Sequence, residues 1–197
     1  MAEQVSRDPV DPRVTRSRRL ILEAAVALLV ERGFGAATVE AISARSGVAK
    51  TTIYRHWPDK EAVLRSAVES IVPTATAPDT GSVRGDLTHF AEDLARILTT
   101  PPTSALIPGL VAAAEHDTGL GRLLAEFTAG RRRPVHDAVA RGVERGEISA
   151  GTDPEAVAEL LLGPLFYRRL LSRMPVTAEM IERTVEAVEC TLGGPSR

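Results

Sequence analysis

One heptapeptide, KTTIYRH at residues 50–56, gathers side chains suited to a polyanion. Lys50 and Arg55 supply charge for phosphates, Thr51 and Thr52 are short hydroxyls that reach a phosphate oxygen or a base edge, and Tyr54 and His56 carry polar atoms on aromatic frames. Lys60 adds a cation just beyond, and Thr38 offers a hydroxyl twelve residues before Lys50. Ile53 and Trp57, four apart, share one helical face and look inward. Reading duplex DNA is the chemistry these residue types suit.

Catalysis has no comparable cluster. His56, His89, His116 and His136 show no ligand spacing with one another or with the single Cys190. HExxH, CxxC and Gly-rich phosphate-loop patterns do not occur. Adjacent acids such as Glu92-Asp93 do not face each other on a helix. The chain is therefore read as no enzyme, with neither metal nor cofactor.

Two short helices must hold the cluster. In TVEAISARSGVAKTTIYRHWPDK, Thr38 is a candidate N-cap with Glu40 in the first turn, and Ile42 faces inward. Gly47 supplies the freedom, at positive φ, for a tight turn, and Val48 plugs the space between the helices. The second helix then crosses the first steeply and presents its N-terminal residues, as in a helix-turn-helix. A first helix from about Thr15 to Arg32, with Leu20, Ile21, Ala24, Ala25, Leu28 and Leu29 on one stripe, supports the pair. A fourth opens at Asp59 and ends at Pro73.

The segment from Arg16 to about Val72 resembles the DNA-binding domain of the TetR family of transcriptional regulators. It carries LILEAAVALLVERGF, TVEAISARSGV, TTIYRHW and PDKEAVL in the family's order and spacing, with Trp57 where the family usually has Phe. The resemblance covers about a third of the chain. It implies that the fourth helix links reading head to body, that the body holds a small-molecule cavity, and that an occupied cavity spaces the two heads of a dimer wrongly for DNA.

Charge is segregated accordingly. Net charge is −2 overall, yet residues 13–65 carry ten Arg and Lys against five Asp and Glu, a net +5. The remainder carries fourteen against twenty-one, a net −7. A basic head with an acidic body binds phosphate at one end, with affinity that falls steeply as salt rises. No apolar run approaches the roughly 18 residues of a membrane span, and the N-terminus lacks a signal-peptide core, so a cytoplasmic protein is expected.

The expected organisation is all-α, about nine helices: a flexible arm at 1–12, a three-helix helix-turn-helix domain at 13–72, a linker at 73–82 and an effector-binding and dimerisation domain at 83–197. Helices are expected near 83–99, 103–116, 118–145, 153–172 and 177–192. Gly130 and Pro134 should bend or break the third of these, and Arg131-Arg132-Arg133 beside them reads as a solvated face. AVAELLLGPLFYRRLL is apolar on several sides, and the last helix carries Met180, Ile181, Val185, Val188 and Leu192 before Gly193-Gly194-Pro195 stops it. Together they suit a two-fold dimer seam, which the resemblance also implies.

Lys50, Thr51 and Thr52 are assigned to bases or the helix start, and Tyr54, His56 and Lys60 to phosphates, with Thr38 assisting and Arg55 able to do either. Phe90, Leu94, Ile107, Leu110, His116, Phe127, Phe166 and Tyr167 are the candidates to line an effector cavity, and their character points to an apolar or aromatic ligand. The expected function is a ligand-released repressor binding a palindromic operator as a homodimer. Two alternatives stand: a DNA-binding regulator whose body docks a protein partner, and a helical small-molecule carrier or enzyme.

Overall fold

A computed structural model describes residues 12–73, 75 and 77–192. Among them lie nine α-helices and no strand: α1 (Pro12–Arg32), α2 (Val39–Ser46), α3 (Lys50–His56), α4 (Lys60–Ile71), α5 (Val83–Thr99), α6 (Thr103–Ala114), α7 (Thr118–Glu144), α8 (Pro154–Phe166) and α9 (Ala178–Thr191). The architecture is the expected all-helical one. The arm assigned to 1–12 falls, up to residue 11, outside the described residues, as does the 193–195 stop. Pro12 heads α1, three residues earlier than the stripe suggested. Among the described residues no single helix is long and apolar enough to cross a membrane.

The chain divides into two compact units, Met1–Ile71 and Val72–Arg197. In the first, Ile21, Ala25 and Leu28 of α1 pack with Ile42 of α2, Ile53 of α3 and Leu64 of α4, all buried. Burying such side chains contributes about 1.5–3 kcal/mol each and decides which way every helix turns.

The second unit packs α5 to α9 around Phe90, Leu110, Leu120, Leu123 and Leu161, all nearly solvent-free. Gly142 of α7 makes a close approach there: a Cβ on it would lie 1.9 Å from Val83 Cγ2, so only glycine lets α7 and α5 meet at this point. Capping fixes the helix starts. Ser82, Asp117, Asp153 and Thr177 each accept from backbone N–H groups at the head of α5, α7, α8 and α9.

Three expectations change. No break occurs near Gly130: α7 runs through Pro134 to Glu144. Pro134 removes the hydrogen bond to the Gly130 carbonyl, and Gly130 is exposed, so water can satisfy that oxygen and the helix survives. The 73–82 stretch, linker-like in composition, is fastened to the second unit. Arg141 donates to the Ala77 carbonyl (3.2 Å), Thr80 to Asp86, and Arg145 to Asp79 (3.0 Å). Finally, the α9 stripe is spent inside its own subunit: Met180, Ile181, Val185, Val188 and Leu192 are all buried. The apolar surface left over in this unit belongs to α8, the π-helical turn Tyr167–Ser172 and the residues just after it, where Leu160, Tyr167, Leu171 and Met174 are exposed.

Candidate nucleic-acid interface and effector cavity

Side chains outside the exposed face of α3 set its pose. Gly47 takes a left-handed conformation (φ 68°, ψ 11°), the positive φ that the tight turn requires. Ser43 Oγ donates to the Val48 carbonyl (2.7 Å) and Ser46 Oγ accepts from the Val48 N–H (3.2 Å), fastening the turn from the α2 side. Val48 itself is half-buried. Buried Trp57 donates through Nε1 to Ser66 Oγ of α4 (2.8 Å). Arg45 of α2 grips Glu31 of α1 through two bonds of 2.6 Å.

Held this way, α3 sorts its residues by face. Lys50, Thr51, Tyr54 and Arg55 are exposed, Thr52 and His56 are half-buried, and Ile53 is fully buried. At about 100° per residue the four exposed positions span an arc of about 140°, narrow enough for one groove. Tyr54 is 51% exposed. Thr38 and Lys60, at the starts of α2 and α4, are half-buried. Thr38 Oγ1 is the α2 N-cap, accepting from Ala41 N (3.2 Å), which leaves its O–H as the group able to meet a phosphate.

Lys50 has a partner within its own unit. Its Nζ lies 3.1 Å from Glu40 Oε1, both side chains more than half exposed. An exposed pair contributes at most about 1 kcal/mol. Glu40's own backbone N–H first, and Lys50 second, hold its carboxyl below the ordinary carboxylate range. The Arg18 guanidinium lies 5.5 Å from the centre of the Trp57 ring, and the His56 ring meets Trp57 edge-on at 5.6 Å.

The second unit holds a half-open cavity of about 610 Å³, within the range of small-molecule sites. Phe90, Leu94, Ile107, Leu110, Phe127 and Phe166 line it, gathered from α5, α6, α7 and α8. His116 and Tyr167 do not. His116 is exposed just beyond the end of α6, and Tyr167 is 58% exposed and lines an outer groove with Leu160, Pro164 and Met180. The cavity's polar groups are ones that periodicity passes over: Thr128, Arg131, Arg132 and Glu159. The arginine run is thus no uniform solvated face. Arg132 pairs with Glu155 (2.5 Å) and Arg131 faces the cavity, while Arg133 stays exposed beside Asp137. Among the described residues no group of His, Cys, Asp and Glu is arranged to hold a metal.

Comparison with known proteins follows the same division. Residues 21–67 match the family model "Bacterial regulatory proteins, tetR family", and residues 77–188 match "Tetracyclin repressor-like, C-terminal domain". The chain is 37% identical over 166 residues to YdeS, an HTH-type transcriptional regulator of Bacillus subtilis, covering 82% of each chain. It is 30% identical over 185 residues to the DNA-binding transcriptional repressor TetR of Mycobacteroides abscessus, covering 92% of this chain and 95% of that one. Among solved structures, a TetR family transcription regulator superposes with a TM-score of 0.69 at 29% identity, over 89% of this chain and 97% of that chain.

Proposed function

The chain belongs to the TetR family of bacterial transcriptional regulators, and from that premise we propose that it is a repressor which binds a near-palindromic operator as a homodimer and releases it when an apolar molecule fills its cavity. The observation that carries the DNA assignment is the α3 face: Lys50, Thr51, Tyr54 and Arg55 exposed side by side above a buried Ile53. In this reading Lys50, Thr51 and Thr52 meet bases or the backbone at the helix start. Tyr54, His56 and Lys60 hold phosphates, Thr38 assists from α2, and Arg55 serves either purpose. Unit Met1–Ile71 acts as the reading head and unit Val72–Arg197 as the effector and dimerisation body.

Support for a dimer comes from the groove of about 660 Å³ between α8 and α9, where Leu160 and Tyr167 stand half-exposed beside Pro164 and Met180. Two copies joined there by two-fold symmetry would bury apolar area that one copy leaves in water. A two-fold dimer reads two half-sites, so the operator should be an inverted repeat. Selection of bound duplexes from random DNA tests this directly. An enriched inverted repeat is expected; a single asymmetric site, or no enrichment, would remove the dimeric repressor.

On the selected operator, Lys50→Ala should weaken binding by about 1–3 kcal/mol and relax base preference at one position of each half-site. Glu40→Gln, which frees Lys50 from its partner, should strengthen binding modestly. A gel-shift series showing unchanged affinity and preference for Lys50→Ala would remove the base-reading role.

The cavity supports the effector reading because its walls are almost wholly apolar. Leu94→Trp fills it from α5. Uptake of the neutral dye Nile red, followed by fluorescence, is expected to fall about tenfold or more while operator affinity stays unchanged. Equal dye uptake by both proteins would mean the cavity is not where apolar molecules enter.

A further inference from the structure

The exposure of the lining residues shows on which side the cavity is open. Phe90, Leu94 and Ile97 of α5 and Ile107 and Leu110 of α6 are buried, and of the lining residues on these two helices only Val111 is half-buried. On α7 and α8 the pattern reverses. Leu124, Leu162 and Phe166 are half-buried, and Ala125, Glu159 and Gly163 are exposed although they line the same space. The mouth therefore lies between α7 and α8.

One end of this gap is pinned. Glu155, in the first turn of α8, accepts from Arg132 on one oxygen (2.5 Å) and lies 3.0 Å from His136 Nε2 on the other, tying α8 to α7. The exposed lining residues stand about two turns from the pin, Ala125 before Arg132 on α7 and Gly163 after Glu155 on α8. Gly163 is the smallest part of the rim: a Cβ on it would meet nothing within 4 Å. Packing does not demand this glycine, in contrast with Gly142, where a Cβ has no room. The outer groove uses Leu160 and Pro164, about 100° further round α8 from Glu159 and Gly163, so mouth and groove occupy different sides of one helix.

We propose that the effector enters and leaves through the gap between α7 and α8, and that the absent side chain at Gly163 keeps this gate wide enough to pass it. The inference rests on the effector reading above and adds the route and the residue that controls it. A gate residue acts on passage and leaves the bound state alone. Filling it raises the barrier to entry and exit equally, so both rate constants fall together while their ratio, the affinity, is kept. A wall residue such as Leu94 acts on the bound state instead, and its replacement changes the affinity.

The test follows Nile red in the full chain by stopped-flow fluorescence, with entry read on mixing and exit on rapid dilution of the loaded protein. Gly163→Ala is the reference, since its Cβ meets no neighbour. In Gly163→Phe both rate constants are expected to fall about tenfold or more, with the equilibrium affinity within about twofold of the reference. Ala125→Phe narrows the gap from its α7 edge and should do the same, whereas Ala112→Phe, exposed on α6 and outside the lining, should change neither rate. Should phenylalanine at 163 not fold, Gly163→Cys is modified after folding with benzyl methanethiosulfonate and then released by reductant, giving the same comparison within one protein. Cys190→Ser accompanies it, because Cys190 is exposed. Unchanged rates in Gly163→Phe, affinity lost at an unchanged entry rate, or a thiol in Gly163→Cys that the reagent cannot reach would each overturn the gate while leaving the cavity standing. Failure of Nile red to bind the unsubstituted protein removes the cavity reading and this inference together.

Discussion

Tyr54→Glu is expected to cost about a hundredfold or more in operator affinity without moving the melting temperature. The side chain is 51% exposed, so its replacement leaves the core of Met1–Ile71 untouched. On the proposed interface, however, a carboxylate there would face phosphates, and like charges brought together cost several kcal/mol. A second effect acts in the same direction. Position 54 lies one turn after Lys50, so the new carboxylate competes with DNA for that cation. Tyr54→Phe separates charge from shape: losing only the hydroxyl, it should cost about 1 kcal/mol, the net worth of one hydrogen bond. Fluorescence anisotropy on a labelled operator, with melting curves as the folding control, reads both variants. Wild-type affinity in Tyr54→Glu would show that the Lys50–Arg55 face does not touch DNA.

Where the sequence was legible, local chemistry left one solution. Gly47 between Ser46 and Val48 announces a positive φ, and the structure has it at 68°. The period of Leu87, Phe90, Leu94, Ile97 and Leu98 delimits α5 at Val83–Thr99, because a stripe marks every turn and Ser82 caps the start. Six of the eight cavity candidates lie together for the same reason: a stripe names the inward face, and the cavity is a gap between inward faces.

What stayed hidden depends on partners distant in sequence. Arg131 belongs to a basic run, and charge alone says solvent; its guanidinium nonetheless lies over the Phe127 ring, as cationic side chains do when a neighbouring ring offers its face. Tyr167 follows an apolar helix that periodicity cannot orient, and the π-helical turn beginning there adds residues per turn, carrying its side chain to the outer groove. The α9 stripe was legible as a stripe but not as to what covers it. Only the fold shows α5 and α8 packed against it, which leaves α8 the apolar surface that a second copy would need.

Asp86→Ala should lower the melting temperature of unit Val72–Arg197 by roughly 10 °C, following a loss of about 3–5 kcal/mol. Asp86 is fully buried. Its Oδ1 accepts from Thr80 N (2.7 Å) and Thr80 Oγ1 (2.6 Å), while Oδ2 accepts from Arg141 Nε (3.2 Å) and Nη2 (2.9 Å), with Arg145 Nη2 at 3.7 Å. One carboxylate thereby binds the stretch before α5 to α7. Removing it leaves the Thr80 N–H without its acceptor, while the Thr80 hydroxyl keeps the Ser82 carbonyl (3.2 Å); the arginines, each about a quarter exposed, can turn to water, which places the cost toward the lower end. Burial by itself would raise the Asp86 pKa, but hydrogen bonds from Thr80 and then the Arg141 guanidinium outweigh it, so the folded value lies below the ordinary aspartate range. A depressed folded pKa means that stabilisation is complete above the unfolded value of about 3.9 and disappears as pH falls through the folded one. The gap between parent and Asp86→Ala melting temperatures should therefore be constant from neutrality down to about pH 5 and close in stronger acid. Other carboxylates titrate in both proteins and cancel in that difference. A gap that persists unchanged at about pH 3, or is absent at neutrality, would show that the Thr80–Asp86–Arg141 connection adds nothing to the stability of the body.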